Sequence, residues 1–543
     1  MKKIFKLSLP MLVIISNVSV GISQVNVDDR QSVENAKIVG QLHGLEGDTL
    51  TLSYWVNALG LDETSSYKRA FAPVEQKIIV AKDGSFSVRI PVYKKLQYFS
   101  LKSNRQKTIW KEEYFFRKGK MDDISTSASV PVLNWSYFIL EPGDDIKVVL
   151  QHGQMSFSGT GAEKIKYLNE FKYSQNRPKS FQSFRGDSLS TIKRISYYDD
   201  LQQFGINILK KYHGRISPMA YQVLQADIIG HCQYYRYSSA SLFNSYKDPT
   251  IRRIYLNIYK EQVKAKALPL LEQLSTEVLG LSKSYPLFWQ QRFKVEQSYL
   301  LYNAHGDGVE TQQASKNDLF EAVLNLKKGL LKDKLIVMNC SDMLKVFGQV
   351  QVEERLATAL TELQDPTMYA VVKRFRDDFS KGQLTYDFTM EDVEGNHVRL
   401  SDFRGKVVFV DIWFTGCGGC VSVAKAMRDK VEPHFEGKDD VVFLSISIDK
   451  DKRMWKNSIT KDAKRDPKLS YQRPGAHYSG DKTIYLRTLN GSDDPFIKKY
   501  VTNAYPTLML IDREGKVFAF SAQRPDGGKA KLLIDQINDV RKL

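Results

Sequence analysis

Three patterns of apolar and polar positions follow one another along the chain. From residue 24 to about 160 the apolar residues come in short, alternating runs. Lys37-Ile38-Val39-Gly40-Gln41-Leu42-His43-Gly44 is followed by Asp48-Thr49-Leu50-Thr51-Leu52-Ser53-Tyr54-Trp55, and Ala81 to Ile90 reads as strand, Asp83-Gly84 turn, strand. Glu141-Pro142-Gly143-Asp144-Asp145 is a further turn before Ile146-Lys147-Val148-Val149-Leu150. A period of two, broken regularly by turn residues, predicts short antiparallel strands and a β-sandwich-like domain.

Near Gly159-Thr160-Gly161 the period changes. Residues 161–376 are poor in glycine and proline, and their apolar residues recur three and four apart. Leu270, Leu271, Leu274, Val278 and Leu281, after Pro269, form one such run, and Leu319, Val323, Leu326 and Leu330 another. This spacing predicts amphipathic helices, with Pro269 at a helix start. The tyrosines Tyr234, Tyr235, Tyr237, Tyr299 and Tyr302 are read as aromatics packed between helices rather than as a ligand platform.

From residue 377 the pattern changes once more. Tyr386–Met390 reads as a strand, Glu394-Gly395-Asn396 as a turn and His397–Leu400 as a return strand. The apolar runs Val407–Phe414, Val441–Ile448 and Thr507–Ile511 read as buried strands with helices between them. Val517–Phe520 follows the turn Arg513–Lys516, and a last amphipathic helix is predicted over residues 528–543. Lys461 to Asp481 reads as a long charged loop, followed by a short strand at Lys482–Leu486. Buried strands alternating with helices predict an α/β domain over 377–543. The expected chain is therefore multidomain: a β-sandwich-like domain (24–160), an α-helical region (161–376) and an α/β domain (377–543).

Composition adds three constraints. The chain has 543 residues, 42% hydrophobic, which suits several globular domains. Its formal net charge of +17 is spread along the sequence with no arginine-rich tract or zinc-finger spacing, so a solvated basic surface is expected and no nucleic-acid partner. Residues 1–23 carry the marks of a secretory signal: Lys2, Lys3 and Lys6, the apolar stretch Leu7 to Val20, and small residues at Gly21-Ile22-Ser23. That stretch is shorter than the roughly 20 residues that span a bilayer, so a cleaved signal is expected over an uncleaved anchor, and a periplasmic or otherwise exported location.

Four cysteines occur: Cys232, Cys340, Cys417 and Cys420. Spacing leaves open whether Cys232 and Cys340 pair, and free buried thiols are the expectation. Cys417-Gly418-Gly419-Cys420 stands at the end of a buried strand, where a helix is predicted to start. Two thiols one helical turn apart can close a disulfide, and unpaired N–H groups at a helix start favour the first as a thiolate. Half a zinc site is the competing reading, but neither remaining cysteine has a partner at metal spacing, and no metal or other cofactor is expected.

Residues 384–543 resemble thioredoxin-like proteins, most closely the exported TlpA/ResA-type disulfide oxidoreductases. The resemblance rests on Asp387-Phe388-Thr389 through Ser401-Asp402-Phe403-Arg404-Gly405-Lys406-Val407-Val408, the Cys-x-x-Cys after its strand, and Tyr505-Pro506-Thr507 before a buried strand. The N-terminal strand region looks like a domain found ahead of such modules. The resemblance implies that Cys417 is the nucleophile and Cys420 the resolving thiol, forming a redox-active disulfide between them. Asp411, six residues before Cys417, matches a buried aspartate whose raised pKa lets it take the Cys420 proton. Pro506 matches a cis-proline that would expose the Tyr505 backbone to an extended substrate. Trp413, Tyr505 and Pro506 are the implied substrate-binding positions, Trp413 through packing. The implied partners are protein thiols and disulfides and a membrane-linked electron donor.

The departures from that pattern bear on substrate and potential. Gly418-Gly419 replaces a Gly-Pro or Pro-Pro pair, Gly416 stands where a tryptophan often precedes the first cysteine, and Val423 stands where ResA-type proteins often carry glutamate. A disulfide reductase is the leading expectation. An oxidase or isomerase, or a binding protein whose N-terminal domains carry the function, are the alternatives. A peroxiredoxin needs threonine three residues before its reactive cysteine, and Phe414 is there instead.

Overall fold

A computed structural model describes residues 34–59, 70–117, 120–179, 181–183, 188–245, 248–265, 271, 273–305, 319–344, 349–463, 474–500 and 505–543. The predicted signal at 1–23 lies outside the described residues, as do Pro269 and Leu270.

The first ten strands are β1 (Glu34–Leu42), β2 (Thr49–Trp55), β3 (Val74–Ile79), β4 (Ser85–Val92), β5 (Gln97–Ser103), β6 (Gln106–Arg117), β7 (Lys120–Pro131), β8 (Asn134–Leu140), β9 (Asp145–Gln151) and β10 (Gln154–Thr160). They form two four-stranded sheets, in the orders β10-β9-β1-β4 and β3-β2-β5-β8. Alternate residues of β4 are buried, as the period of two requires. Trp135 of β8 lies 5.5 Å from Phe157 of β10 between ring centroids, so side chains of the two sheets meet in a shared core. The expected sandwich is present, with two differences. β1 pairs with β9 in parallel, because the chain crosses to the second sheet after β1 and returns in the same direction. The Asp83-Gly84 turn leads from β3 in one sheet to β4 in the other, a corner rather than a hairpin. The long β6–β7 hairpin forms a third sheet with β11 (Phe181–Ser183).

The middle region is helical: α1 (Ala162–Tyr173), α2 (Ser188–Lys210), α3 (Pro218–Ala240), α4 (Pro249–Ile258), α5 (Thr276–Leu281), α6 (Tyr285–His305), α7 (Leu330–Met343), α8 (Gln349–Glu362) and α9 (Pro366–Phe379). Both apolar runs read from the sequence as single helices are broken. Ser275 caps α5 by accepting the Val278 amide, so Leu271 and Leu274 precede the helix. Leu319 and Val323 sit on a helical segment that ends at residue 324, and Leu330 opens α7 after a turn. Almost all of α7 is buried, including Lys332, Asp333 and Lys334. The Lys334 ammonium donates to the carbonyls of Ala58 (2.8 Å) and Ser282 (3.2 Å), and Asp333 accepts the amides of Gln364 and Asp365. A helix covered on every side shows no polar face, which is why periodicity does not locate it.

Asp227 of α3 ties the sandwich to the helices. Its carboxylate accepts hydrogen bonds from the Tyr98 hydroxyl of β5 (2.8 Å), the Ser282 hydroxyl (2.6 Å), and the Lys283 amide (3.0 Å) and ammonium (3.2 Å). Cys232 and Cys340 are free and buried on α3 and α7. Among the described residues no helix is long and apolar enough to cross a membrane.

The C-terminal strands are β12 (Thr389–Glu391), β13 (His397–Arg399), β14 (Val407–Trp413), β15 (Val441–Ser447), β16 (Thr483–Arg487), β17 (Thr507–Ile511) and β18 (Val517–Ala519), ordered β13-β12-β16-β15-β14-β17-β18. β14 and β15 run parallel, as do β15 and β16, while β17 is antiparallel to β14. The helices are α10 (Gly418–Ala426), α11 (Lys452–Ile459), α12 (Pro495–Tyr500) and α13 (Ala530–Arg541). Every residue of β14 is buried. Val407 and Phe409 pack with Val423 of α10 and with Leu533 and Ile537 of α13, while Val408, Val410 and Ile412 join the core on the other face. The end of α9 packs on this domain, with Phe379 4.2 Å from Phe520 and 6.1 Å from Tyr500 between ring centroids.

Replacing Asp227 by alanine strips the acceptor from three donor residues at once. The expected loss is about 3 kcal/mol of unfolding free energy, because buried donors are left unpaired. Urea denaturation followed by circular dichroism checks it, and an unchanged midpoint would contradict the role given to this junction.

Candidate functional site

The two cysteines meet where β14 ends and α10 begins. After Trp413 the chain turns through Phe414, Thr415 and Gly416, and the Cys417 amide returns to the Phe414 carbonyl at 3.2 Å. Gly416 has φ +97°, a left-handed conformation that a tryptophan at this position would adopt only under strain.

Cys417 is the N-cap of α10, and its sulfur accepts the Cys420 amide at 3.2 Å. Cys417 and Cys420 are joined as a disulfide, with their Cα atoms 5.3 Å apart. Cys417 is 6% exposed and Cys420 fully buried. The pair rests on Trp413, Trp455 and Ile459, with Tyr485 and Tyr505 at the edge of that cluster.

Asp411 shares a face of β14 with Val407 and Phe409, since alternate residues of a strand point the same way. That face packs against α10. The neighbouring strands set Ser445 and Leu508 beside it in register. The carboxyl is 4% exposed and its Oδ1 has no hydrogen-bond partner among the described residues. Burial pushes its pKa up to about 7, and the Arg524 charge pulls in the opposite direction. The sequence-based expectation is a carboxyl desolvated inside a strand, and Asp411 lies buried in β14.

Trp413 donates its indole N–H to the Ser445 hydroxyl at 2.7 Å. The Tyr505–Pro506 peptide bond is cis. A Cβ added at Gly419 would lie 3.5 Å from Pro506 Cδ, so the proline stands against the second glycine of the motif. Tyr505 packs edge-on against Phe414 at 5.3 Å between centroids. All six residues singled out from the sequence thus belong to one neighbourhood.

Sequence reasoning missed the residues that hold this neighbourhood in place. Asp449, just beyond β15, is 6% exposed and accepts the Thr415 amide (3.2 Å), the Thr415 hydroxyl (2.6 Å) and the Ser447 hydroxyl (2.8 Å). It ties the turn before Cys417 to the neighbouring strand. His477, in the segment read only as a loop, stacks on Trp413 at 4.1 Å, 12° from parallel. Burial holds its imidazole down to about 4, so the ring is neutral at pH 7. Arg524 donates to both carboxylate oxygens of Asp526 (3.0 and 2.8 Å) and approaches the Gly419 carbonyl at 3.5 Å. The Arg524-Pro525-Asp526-Gly527 turn is visible in the sequence, but nothing there places it beside residue 419.

Comparison with known proteins bears on the same region. The AhpC/TSA family profile matches residues 382–520. The thiol-disulfide oxidoreductase ResA of Geobacillus thermodenitrificans is 26% identical over 151 residues, which span 28% of this chain and 74% of that protein. ResA of Bacillus subtilis is 26% identical over 151 residues, spanning 28% of this chain and 72% of that protein. Among solved structures, a thiol:disulfide interchange protein from a Bacteroides species is 26% identical, covering 31% of this chain and 91% of that one, with a TM-score of 0.23.

Asp411 sets a pH dependence on stability. Its folded pKa, about 7, lies above the ordinary 3.8, so the protein loses stability as pH rises from about 4 through 7. Asp411→Asn does not titrate, and it is expected to be more stable than the unchanged chain above pH 7, by an amount of order 4 kcal/mol. The gain should vanish near pH 4. Denaturation of both proteins across pH 4–9 tests this, and a pH-independent difference would refute a raised Asp411.

Proposed function

We propose that this chain, whose C-terminal domain is thioredoxin-like and of the TlpA/ResA type, is an exported thiol–disulfide oxidoreductase that reduces protein disulfides. The observation that carries this reading is the Cys417–Cys420 pair at the N-terminus of α10, on the face of β14 that bears Asp411. Residues 377–543 are the catalytic domain. Residues 24–160 and 161–376 are the body that carries it, and residues 1–23 are the signal that exports it.

In the reduced enzyme the Cys417 thiolate attacks one sulfur of a substrate disulfide. A Cys417–substrate bond forms, the substrate disulfide breaks, and the departing sulfur takes a proton. Free N–H groups of the first turn of α10 stabilise the attacking thiolate. Asp411 then accepts the Cys420 proton. The Cys420 thiolate attacks Cys417, the Cys417–Cys420 bond forms, and the second substrate thiolate leaves and is protonated. Two electrons pass to the substrate, and the enzyme is left in the oxidised form described above. A membrane-linked dithiol donor returns two electrons and two protons. Trp413, Tyr505 and Pro506 form the surface against which the substrate segment lies, with the Tyr505 backbone free to pair with it.

Reduction rather than oxidation fits the motif, since no histidine or lysine between the cysteines stabilises a strongly acidic thiolate. A peroxidase reading of the AhpC/TSA match is disfavoured by Phe414, which offers no hydroxyl three residues before Cys417.

Cys420→Ser is expected to accumulate mixed disulfides through Cys417, identifiable by mass spectrometry, and Cys417→Ala to accumulate none. Recovery of no covalent partner with Cys420→Ser would count against the reading. A dithiol potential near about −270 mV is expected of a reductase, and a value near about −120 mV would assign oxidation instead.

A further inference from the structure

The turn that carries Cys417 is held from outside its own segment. β14 and β15 pair to their last residues, with Trp413 opposite Ser447, and the Ile448 amide closes the ladder on the Trp413 carbonyl at 3.0 Å. One residue further on, Asp449 reaches across to Thr415. Both of its oxygens accept the Thr415 amide at 3.2 Å, and Oδ2 also accepts the Thr415 hydroxyl at 2.6 Å and the Ser447 hydroxyl at 2.8 Å. From the other side the Ser458 hydroxyl of α11 stands 2.8 Å from the Thr415 hydroxyl. Asp449 is 6% exposed, so these amide and hydroxyl donors replace the water that the carboxylate gives up.

The start of α10 does little to place Cys417 by itself. Its first two residues are Gly418 and Gly419, and glycine is a poor helix former. A Cβ at Gly418 would meet nothing within 4 Å, and one at Gly419 would make only ordinary contacts. The attachment of Cys417 to the sheet therefore runs through the turn. Its amide donates to the Phe414 carbonyl, and between those two residues Thr415 is bound to Asp449.

We infer that Asp449 is a positioning residue for Cys417: through Thr415 it fixes the turn so that the sulfur stands as the N-cap of α10, over the Cys420 amide. This rests on the oxidoreductase reading and adds a residue to it. The sulfur accepts that amide at 3.2 Å, and alignment with the free N–H groups of the helix start is what favours the thiolate. Releasing Thr415 leaves the thiol in place chemically but loosens that alignment, so attack on a disulfide slows.

The test uses the reduced full-length chain with Cys420→Ser, so that Cys417 reacts alone, and 5,5′-dithiobis(2-nitrobenzoate) as the probe. The Cys417 thiolate bonds to one aryl sulfur, the aryl disulfide breaks, and the other aryl thiolate leaves and is read by its colour. Each variant's rate at pH 7 is measured beside its urea midpoint. Asp449→Leu removes the acceptors at similar volume, and attack is expected to fall about tenfold. Asp449→Asn keeps one acceptor oxygen and is expected to restore most of the rate. Thr415→Val keeps the amide and loses the hydroxyl, and a fall of about threefold is expected. Added to Asp449→Leu, it should slow the reaction no further.

An unchanged rate in folded Asp449→Leu overturns the inference, whatever happens to its urea midpoint. A loss with asparagine as large as with leucine also overturns it, because the acceptor oxygen would then not be what holds the turn. Should Asp449→Leu not fold, Thr415→Val decides, and an unchanged rate there overturns the inference. If Cys420→Ser traps no protein partner while these rates behave as stated, the oxidoreductase reading fails and the positioning of Cys417 by Asp449 stands.

Discussion

A carboxyl group in the middle of a strand buried along its whole length is the constraint on which the C-terminal α/β domain depends. β14 lies between β15 and β17, with all seven residues out of solvent, and Asp411 is the one ionisable side chain among them. Burying a charge without a partner is costly, and burial pushes the carboxyl's pKa up to about 7 instead. The same strand carries the chain out of the core and ends where Gly416 turns it into α10. The strand fixes the carboxyl, and the short turn through Phe414, Thr415 and Gly416 carries the chain from it to the two cysteines.

The surrounding shell serves that strand's exit. Asp449 gathers Thr415 and Ser447, so the turn before Cys417 is anchored to β15 rather than left to fray. Trp413, Trp455 and Ile459 form the apolar floor of the disulfide, and His477 closes over Trp413 as a neutral ring. Glu432, whose pKa is raised by burial, hydrogen-bonds Thr483 at the start of β16, close to the segment that bears His477. Segments far apart in sequence thus meet around the end of β14 and the turn that follows it.

What could be read from the sequence follows from which signals are local. The motif, the aspartate six residues before it and Pro506 belong to short stretches whose pattern survives without a structure. Alternation in β4 was equally plain, because one face of that strand is exposed. The parallel β1–β9 pair was not, since pairing direction depends on a crossover more than a hundred residues long. α7 escaped because burial on every side erases periodicity, and the helix breaks at Ser275 and after residue 324 were hidden by leucines that continue the spacing across a turn. Arg524, Asp449 and His477 are polar residues in irregular segments, and only their three-dimensional neighbours give them meaning. Of the double glycine, Gly418 faces open space and Gly419 stands at ordinary contact distance from Pro506 and Arg524, so packing does not demand glycine at either position.

The start of α10 leaves the Cys417 sulfur at the edge of solvent and keeps Cys420 in the core. Limited alkylation of the reduced full-length chain at pH 7, followed by peptide mass spectrometry, tests it directly. Cys417, the one cysteine of the four with more than a trace of exposure, should be modified first. Cys420, Cys232 and Cys340 should remain unmodified until the protein is unfolded, as their burial requires. Modification of Cys420 as fast as Cys417 would contradict the division of roles between them.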